Sequence, residues 1–358
     1  MEKVYRGILI VCALLVAASR AGACDLCGCY TPQIEAMPQT PDESAFGFPS
    51  SNAGHSAGWL SNAYFAAAEQ FTYFGTLQFE GEEVPNPTNQ HESSSITQLI
   101  AGYSFSPRFA LQVNVPLIYR SFQRPDGFAI DHGTESGLGD VSVLGKFVLF
   151  HTERGGGRAV VFDDPKNPRL ETHQPDFTAS AVLLGGVKFP TGATDRLKEE
   201  FSEVEVPGAP QSGIHGHDLT LGTGSYDGIL GAQTALRYRD LFFATDLQFA
   251  LRGDGAHQYH FANDLSWSGG PGYYFVRKPS AIVGVQLVAS GEHKDLDRFQ
   301  GQPAEDTGIT SVFLGPRFVA SIGKWTGELS AEFPVSIDNT ALQVVPDYRL
   351  RASIGVRF

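Results

Sequence analysis

The sequence predicts an all-β fold, an antiparallel transmembrane β-barrel of about 12 strands that follows an N-terminal signal peptide. Three observations predict this fold. Apolar and polar residues alternate strictly over segments of about ten residues, and the connections between these segments alternate between long and short. After residue 18, no apolar run approaches the roughly 20 residues that a membrane-spanning helix needs.

The first 23 residues have the three parts of an export signal. Lys3 and Arg6 make the start positive, the apolar run 8–18 follows, and Ala21-Gly22-Ala23 supplies the small-x-small pattern of a cleavage site. The apolar run has 11 residues, which is too short to cross a bilayer as a helix. We therefore expect residues 1–23 to be a removable signal peptide.

Composition divides the remaining chain at residue 62. Segment 24–61 contains cysteines and is rich in Pro, Ser and Gly, so we expect a periplasmic segment or a plug of the barrel, and we assign 62–358 to the barrel. Removal of residues 1–23 changes the formal net charge of −13 to −15. Such an acidic chain argues against nucleic acid as a partner.

Twelve segments show the alternating pattern, and the last of them shows it most plainly. Its apolar face contains Tyr348, Leu350, Ala352, Ile354, Val356 and Phe358. A soluble sandwich can show the same row, so alternation alone does not decide between them. Most of the segments have 11 residues or more, however, and strands in soluble sheets average about 5 or 6. The segments are 63–79, 94–105, 108–121, 138–150, 177–189, 218–238, 241–252, 263–277, 280–292, 310–322, 325–335 and 347–358.

The connections predict which end of the barrel faces the cell exterior. Outer-membrane barrels have short periplasmic turns and long external loops, and an even number of strands puts both termini in the periplasm. The long stretches are 80–93, 122–137, 190–217, 253–262, 293–309 and 336–346. One connection, 151–176, is long where the alternation requires a short turn. It is either a periplasmic insertion or a sign that the strand count is wrong nearby.

Charged residues on the polar rows are expected to line the lumen. They would either create a transverse field that orients polar solutes or pair and fill a narrow lumen. Both outcomes stay open, because twelve strands lie between the filled eight-stranded barrels and the open sixteen-stranded porins. These residues are Arg120, Asp140, Lys146, Lys188, Asp246, Arg252, Arg317, Glu328, Glu332, Arg349, Arg351 and Arg357.

Two groups of residues are candidates for metal binding. Cys24, Cys27 and Cys29 stand at the start of the exported chain, and Gly28 occupies the place of the histidine that a c-type haem motif requires. A disulfide, a lipid on Cys24, and a copper(I) or zinc site are the alternatives. The alternating pair His215 and His217 can also chelate, although a merely polar junction between loop and strand gives the same pattern.

Three strings resemble the outer-membrane group described as the putative MetA pathway of phenol degradation, which is often labelled transporter-like. They are GLGDVSVLGKFVLF at 137–150, LLGGVKFPTGATD at 183–195 and HDLTLGTGSYDGILGA at 217–232. The resemblance implies a barrel that takes up or exports small molecules, with hydrophobic or aromatic compounds as candidate substrates. It implies no catalytic residue.

The sequence contains no nucleotide-binding or hydrolase motif. We therefore expect no catalytic residues, no cofactor and no enzyme activity. The leading hypothesis is a channel or transporter in the outer membrane of a Gram-negative bacterium, with passage controlled by loops 190–217 and 293–309 and with the N-terminal segment 24–61 as a further candidate for that control. Its expected partners are outer-membrane lipid, a small-molecule solute and the barrel assembly machinery. The terminal aromatic residue Phe358 fits the signal that this machinery recognises. The alternative is a non-conducting binding or assembly module whose Cys-rich N-terminus holds a metal or a periplasmic partner.

Overall fold

The structure is a computed structural model that describes residues 62–161, 169–173, 175–203, 206–278 and 280–358, with 157–161 and 169–173 as backbone only. The expected signal peptide 1–23, the segment 24–61 and Cys24, Cys27 and Cys29 lie outside the described residues. None of the helices in the described part is long and apolar enough to cross a membrane.

The described residues form a closed antiparallel barrel of twelve strands, in which each strand pairs with its neighbours in sequence order. The first strand pairs with the last from Tyr64 opposite Arg357 to Phe79 opposite Leu342. This closure leaves no open edge, which lipid requires because it offers no partner for a backbone N–H or C=O. The predicted fold class is confirmed. The strands are β1 (Ala63–Phe79), β2 (His91–Ser106), β3 (Phe109–Asp126), β4 (Ser142–Arg154), β5 (Phe177–Lys188), β6 (Asp227–Tyr238), β7 (Leu241–Leu251), β8 (Asp264–Lys278), β9 (Ala281–Lys294), β10 (Ile309–Ile322), β11 (Trp325–Asn339) and β12 (Leu342–Arg357).

The two faces of each strand meet different surroundings. In β12, Arg349 and Arg351 are buried, whereas Leu350 and Ile354 are 42% and 56% exposed. The same contrast recurs along the other strands, because successive side chains point to opposite faces. The large exposed apolar side chains thus lie on the outside of the barrel, where lipid is their natural solvent.

Two of the expected long loops are instead hairpins with two-residue turns. Strand Ala129–Leu138 pairs with β3 from Asp126 down to Leu117, so the loop expected at 122–137 is wrong. Likewise β11 and β12 continue to Asn339 and from Leu342, which corrects the loop expected at 336–346. The apolar alternation stops where the strands leave the hydrocarbon layer, since both faces are then wet, but the backbone pairing continues.

The connection at 151–176 does not change the number of strands. Gly157–Val161 and Arg169–His173 pair with each other as a separate two-stranded sheet. They extend from the same barrel end as the two-residue turns 107–108, 239–240 and 323–324.

Three connections at the opposite end carry structure of their own. Residues 189–226 contain the 3-10 helix Asp195–Phe201 and the helical turn Gly216–Leu219, so the strand expected from 218 begins only at Asp227. The other two connections, 252–263 and 295–308, contribute a small three-stranded sheet. That sheet consists of Tyr259–His260, Arg298–Phe299 and Gln302–Pro303. A further short strand, Glu82–Glu83, pairs with the end of β1.

Candidate functional site

The candidate site is the barrel end where the connection 189–226, here named the crossing segment, folds inward. It leaves β5 and returns at β6, which stand opposite β11 and β12 in the ring of strands. The carbonyl oxygen of Gly213 nevertheless accepts a 3.0 Å hydrogen bond from the Val344 N–H of β12. Its N–H donates to Gln90 Oε1 at 2.7 Å, beside β2. The crossing segment therefore spans the mouth of the barrel from one side to the other.

An apolar cluster seats the crossing segment on the inner wall. Ile214 and Leu219 of the segment pack with side chains of β1, β3 and β12, and all members are buried. Burying a large aliphatic side chain stabilises by about 1.5 to 3 kcal/mol, so the segment has a defined position. The buried members of the cluster are Phe74, Leu77, Phe122, Ile214, Leu219 and Val344.

Arg120, one of the residues expected to line the lumen, holds the helical turn of the crossing segment. Its guanidinium is fully buried, and Nη1 donates to the carbonyl oxygens of Asp218 at 2.6 Å and Thr220 at 2.5 Å. Carbonyls at the end of a helical turn carry partial negative charge and favour a cation there. Glu92 Oε1 lies 3.6 Å from Arg120 Nε and balances the charge.

A buried network of charged side chains holds both ends of the crossing segment in place through ion pairs and hydrogen bonds. Lys188 Nζ lies 2.8 Å from Asp227 Oδ2 and 3.4 Å from Asp140 Oδ2. Asp140 Oδ1 accepts from the Gly192 N–H at 2.9 Å, where the segment begins. Asp140 Oδ2 accepts from the Thr223 N–H at 2.9 Å, where it ends.

The three strings that carry the family resemblance meet in this network. Asp140 belongs to the first string, Lys188 and Gly192 to the second, and Thr223 and Asp227 to the third. The network continues through Arg252, whose Nη1 lies 2.8 Å from Asp227 Oδ2 and whose Nε lies 2.8 Å from Asp264 Oδ2. Asp227 and Asp264 were not among the predicted lining residues. The signal was present for Asp227, which stands in the GTGSYD string beside two residues of the same network.

A second network joins three predicted residues on the other side of the barrel. Arg351 Nη1 lies 3.1 Å from Glu332 Oε1, and its Nε donates to Gln70 Oε1 at 2.8 Å. Arg349 lies 3.3 Å from Glu292 Oε1. Glu292 was not among the predicted lining residues, although it shares the polar row of β9 with Gln286 and Ser290.

The other predicted lining residues make further contacts inside the barrel and at its end. Lys146 is fully buried and lies 5.8 Å above the Tyr64 ring. Asp246 accepts a 2.6 Å hydrogen bond from Ser268, while Arg317 and Glu328 lie 3.8 Å apart. Arg357 is half-buried near the two-residue turns, with its backbone N–H bonded to the Lys324 carbonyl oxygen.

His215 and His217 lie within the crossing segment, and Asp306 of the connection 295–308 reaches them. Burial opposes the charged form of His217, but the carboxylates of Asp218 and Glu200 outweigh it and raise its pKa well above the ordinary value. For Glu203, burial disfavours the charged carboxylate and so raises the pKa, although the nearby His215 acts in the opposite direction. Sequence reasoning found the two histidines and missed Asp306, which is distant in the chain.

A closed antiparallel barrel with an apolar exterior and a charged interior is the fold of the outer-membrane β-barrels. The chain is similar in structure to the COG4313 outer membrane channel from Pseudomonas putida F1, with a TM-score of 0.52 and 13% identity over 86% of this chain and 98% of that one. The beta domain of the Bordetella autotransporter BrkA matches with a TM-score of 0.42 and 12% identity, covering 83% of this chain and 100% of that one. Neither a family model nor a curated protein sequence matches the chain.

Proposed function

We propose that this chain is an outer-membrane channel or transporter for small molecules, in which the crossing segment controls passage. The observation that carries the proposal is the seat of that segment, which spans the mouth through buried apolar contacts and backbone hydrogen bonds. A closed barrel gives a route across lipid, and a folded segment across one end gives a means of control. The channel named among the similar structures supports this role.

We further propose that the solutes include hydrophobic or aromatic compounds. The interior charges occur largely in close pairs, such as Lys188 with Asp227 and Arg351 with Glu332. Paired charges offer a charged solute little net attraction, which supports the pairing alternative over an orienting field. Where the segment meets the wall, the lining is apolar, and the resemblance of the three strings to the phenol-degradation group points to the same substrates.

In this proposal the outer face meets membrane lipid, and the chain is inserted by the barrel assembly machinery. In the same proposal, residues 1–23 act as the export signal, and segment 24–61 is a periplasmic segment or a plug of the barrel. No catalytic step is assigned to the barrel.

Single-channel recording in planar bilayers tests the role of the crossing segment. A Cβ atom at Gly213 would lie 2.8 Å from Leu77 Cδ1 and 3.1 Å from the backbone at Gln343 and Val344. Gly213→Val should therefore push the segment off the wall and raise the conductance above that of the unaltered chain. The matched control is Gly208→Asn in the same segment, because Gly208 faces open space and Asn tolerates its positive φ.

A second variant keeps the test decisive if Gly213→Val does not fold. Ile214→Asp places a charge in the apolar cluster, where Ile214 is 2% exposed, and should release the segment as well. Folding is checked by the changed gel mobility of unheated barrels. The proposal fails if both folded variants conduct no more than the Gly208→Asn control.

A further inference from the structure

Two parts of the barrel mouth that are distant in sequence meet at a compact group of side chains, here named the histidine cluster. It consists of His215 and His217 of the crossing segment and Asp306 of the connection between β9 and β10. Each residue offers one ligand atom, and these atoms lie within 4.8 Å of one another. His215 Nδ1 lies 2.8 Å from Asp306 Oδ2.

The close contacts in the cluster are short but poorly aligned for hydrogen bonding. His215 Nδ1 and His217 Nε2 are both buried, and neither has a partner in hydrogen-bonding geometry, although Asp306 and Asp218 oxygens lie 2.8 Å and 3.3 Å away. A buried imidazole nitrogen without a hydrogen bond is costly. A metal ion bound between the rings and the Asp306 carboxylate would explain why these nitrogen and oxygen atoms lie close together without well-aligned hydrogen bonds.

The surroundings of His217 resemble the support that metal-binding histidines receive. Glu200 Oε1 lies 3.0 Å from His217 Nδ1 and accepts a 2.8 Å bond from its backbone N–H. A carboxylate on one ring nitrogen fixes the tautomer and leaves the other nitrogen, here Nε2, to face the ion. The ring is further held between those of His215 and Tyr259, with centroids 5.5 Å and 5.6 Å away.

We propose that His215, His217 and Asp306 bind a divalent transition-metal ion, for which Zn²⁺ is the first choice. Two imidazoles and a carboxylate are a recurrent zinc ligand set, which an open position for water completes. The charge balance favours a cation, because Glu200, Glu203 and Asp218 add carboxylates to that of Asp306 around the two rings.

The ion would join the crossing segment to the connection 295–308 and so hold the mouth closed. Metal binding itself does not depend on the proposed function, whereas this consequence for passage rests on it. The two parts are therefore measured separately.

Calorimetric titration of the full chain with Zn²⁺ in detergent tests the binding. All four cysteines of the chain, Cys12, Cys24, Cys27 and Cys29, are replaced by Ser, so that thiolates cannot contribute. We expect one zinc site, and we expect His215→Ala and Asp306→Asn each to weaken it roughly 10-fold or more. His260→Ala is the matched control, since His260 also lies beside a carboxylate, Asp254, but outside the cluster. Its affinity should equal that of the parent.

A Co²⁺ spectrum gives a second readout that does not depend on affinity. The Co²⁺ complex should show visible d–d bands and no thiolate charge-transfer band. The d–d bands should disappear in Asp306→Asn. The metal proposal is overturned if the cysteine-free chain binds no Zn²⁺, or if both cluster variants bind as tightly as the control. If Zn²⁺ binds but leaves the conductance of a conducting barrel unchanged, the closing role is wrong and the metal site stands.

Discussion

Replacing Lys188 by Met tests whether the buried network holds the barrel mouth together. Its side chain is 4% exposed, and the ammonium group faces the carboxylates of Asp227 and Asp140. Methionine keeps most of the length of the side chain but removes the charge. Asp227 keeps Arg252 at 2.8 Å, whereas Asp140 must rely on the donors of Gly192 and Thr223.

The expected cost follows from leaving a buried carboxylate without its cation. Removing one partner of a buried ion pair destabilises by about 3 to 5 kcal/mol. Because Arg252 still compensates Asp227, we expect the lower end for Lys188→Met, about 3 kcal/mol in the free energy of unfolding. Urea unfolding of the barrel in detergent micelles, followed by tryptophan fluorescence and by gel mobility of unheated samples, measures it.

Two further variants make the result interpretable. Lys198→Met removes a lysine from an exposed pair with Asp195, and we expect no measurable change in stability. Adding Asp140→Asn to Lys188→Met should restore part of the lost stability, because the uncompensated charge is then gone. The reasoning is refuted if Lys188→Met and Lys198→Met change the free energy of unfolding equally. It is also refuted if the double variant is less stable than Lys188→Met alone.

Three further predictions concern the wall, the interior charge and the crossing segment. Leu287 lies at the middle of β9 and is 53% exposed on the side that faces lipid. Leu287→Arg should therefore lower the free energy of unfolding in lipid vesicles by about 2 to 4 kcal/mol, whereas the control Val206→Arg in the crossing segment should leave it unchanged. Arg349→Met removes the guanidinium 3.3 Å from Glu292, so the reversal potential in a salt gradient should move toward cation preference; a move toward anions contradicts this. A Cβ at Gly222 would lie 2.8 Å from the backbone of Gly192 at the other end of the crossing segment. Gly222→Ala should therefore separate the two ends of the segment and increase the conductance. An unchanged conductance would contradict this prediction.

The sequence anticipated the strands better than it anticipated the connections. The apolar row from Tyr348 to Phe358 is a local property, since a strand with one face in lipid and one face inside must alternate with a period of two. Where lipid ends, that constraint ends too. The pairing of Ala129–Leu138 with β3 therefore left no periodic signal, and 122–137 had the composition of a loop.

Only parts of the candidate site could be predicted from the sequence. Lys188 and Asp227 stand directly opposite each other in the β5–β6 register, but the pairing of strands must be known before that contact can be stated. Asp306 lies some ninety residues beyond His217, and only the order of strands around the ring brings their connections together at the mouth.

By itself, the sequence determined that this chain is a barrel of about 12 strands with an apolar outside and a charged inside, because residue periodicity and strand length are set by lipid at every position. The tertiary structure alone decided that the mouth is crossed by residues 189–226, which charges pair, and that two histidines meet an aspartate there. Those contacts depend on closure of the ring, which places segments together that no local pattern relates.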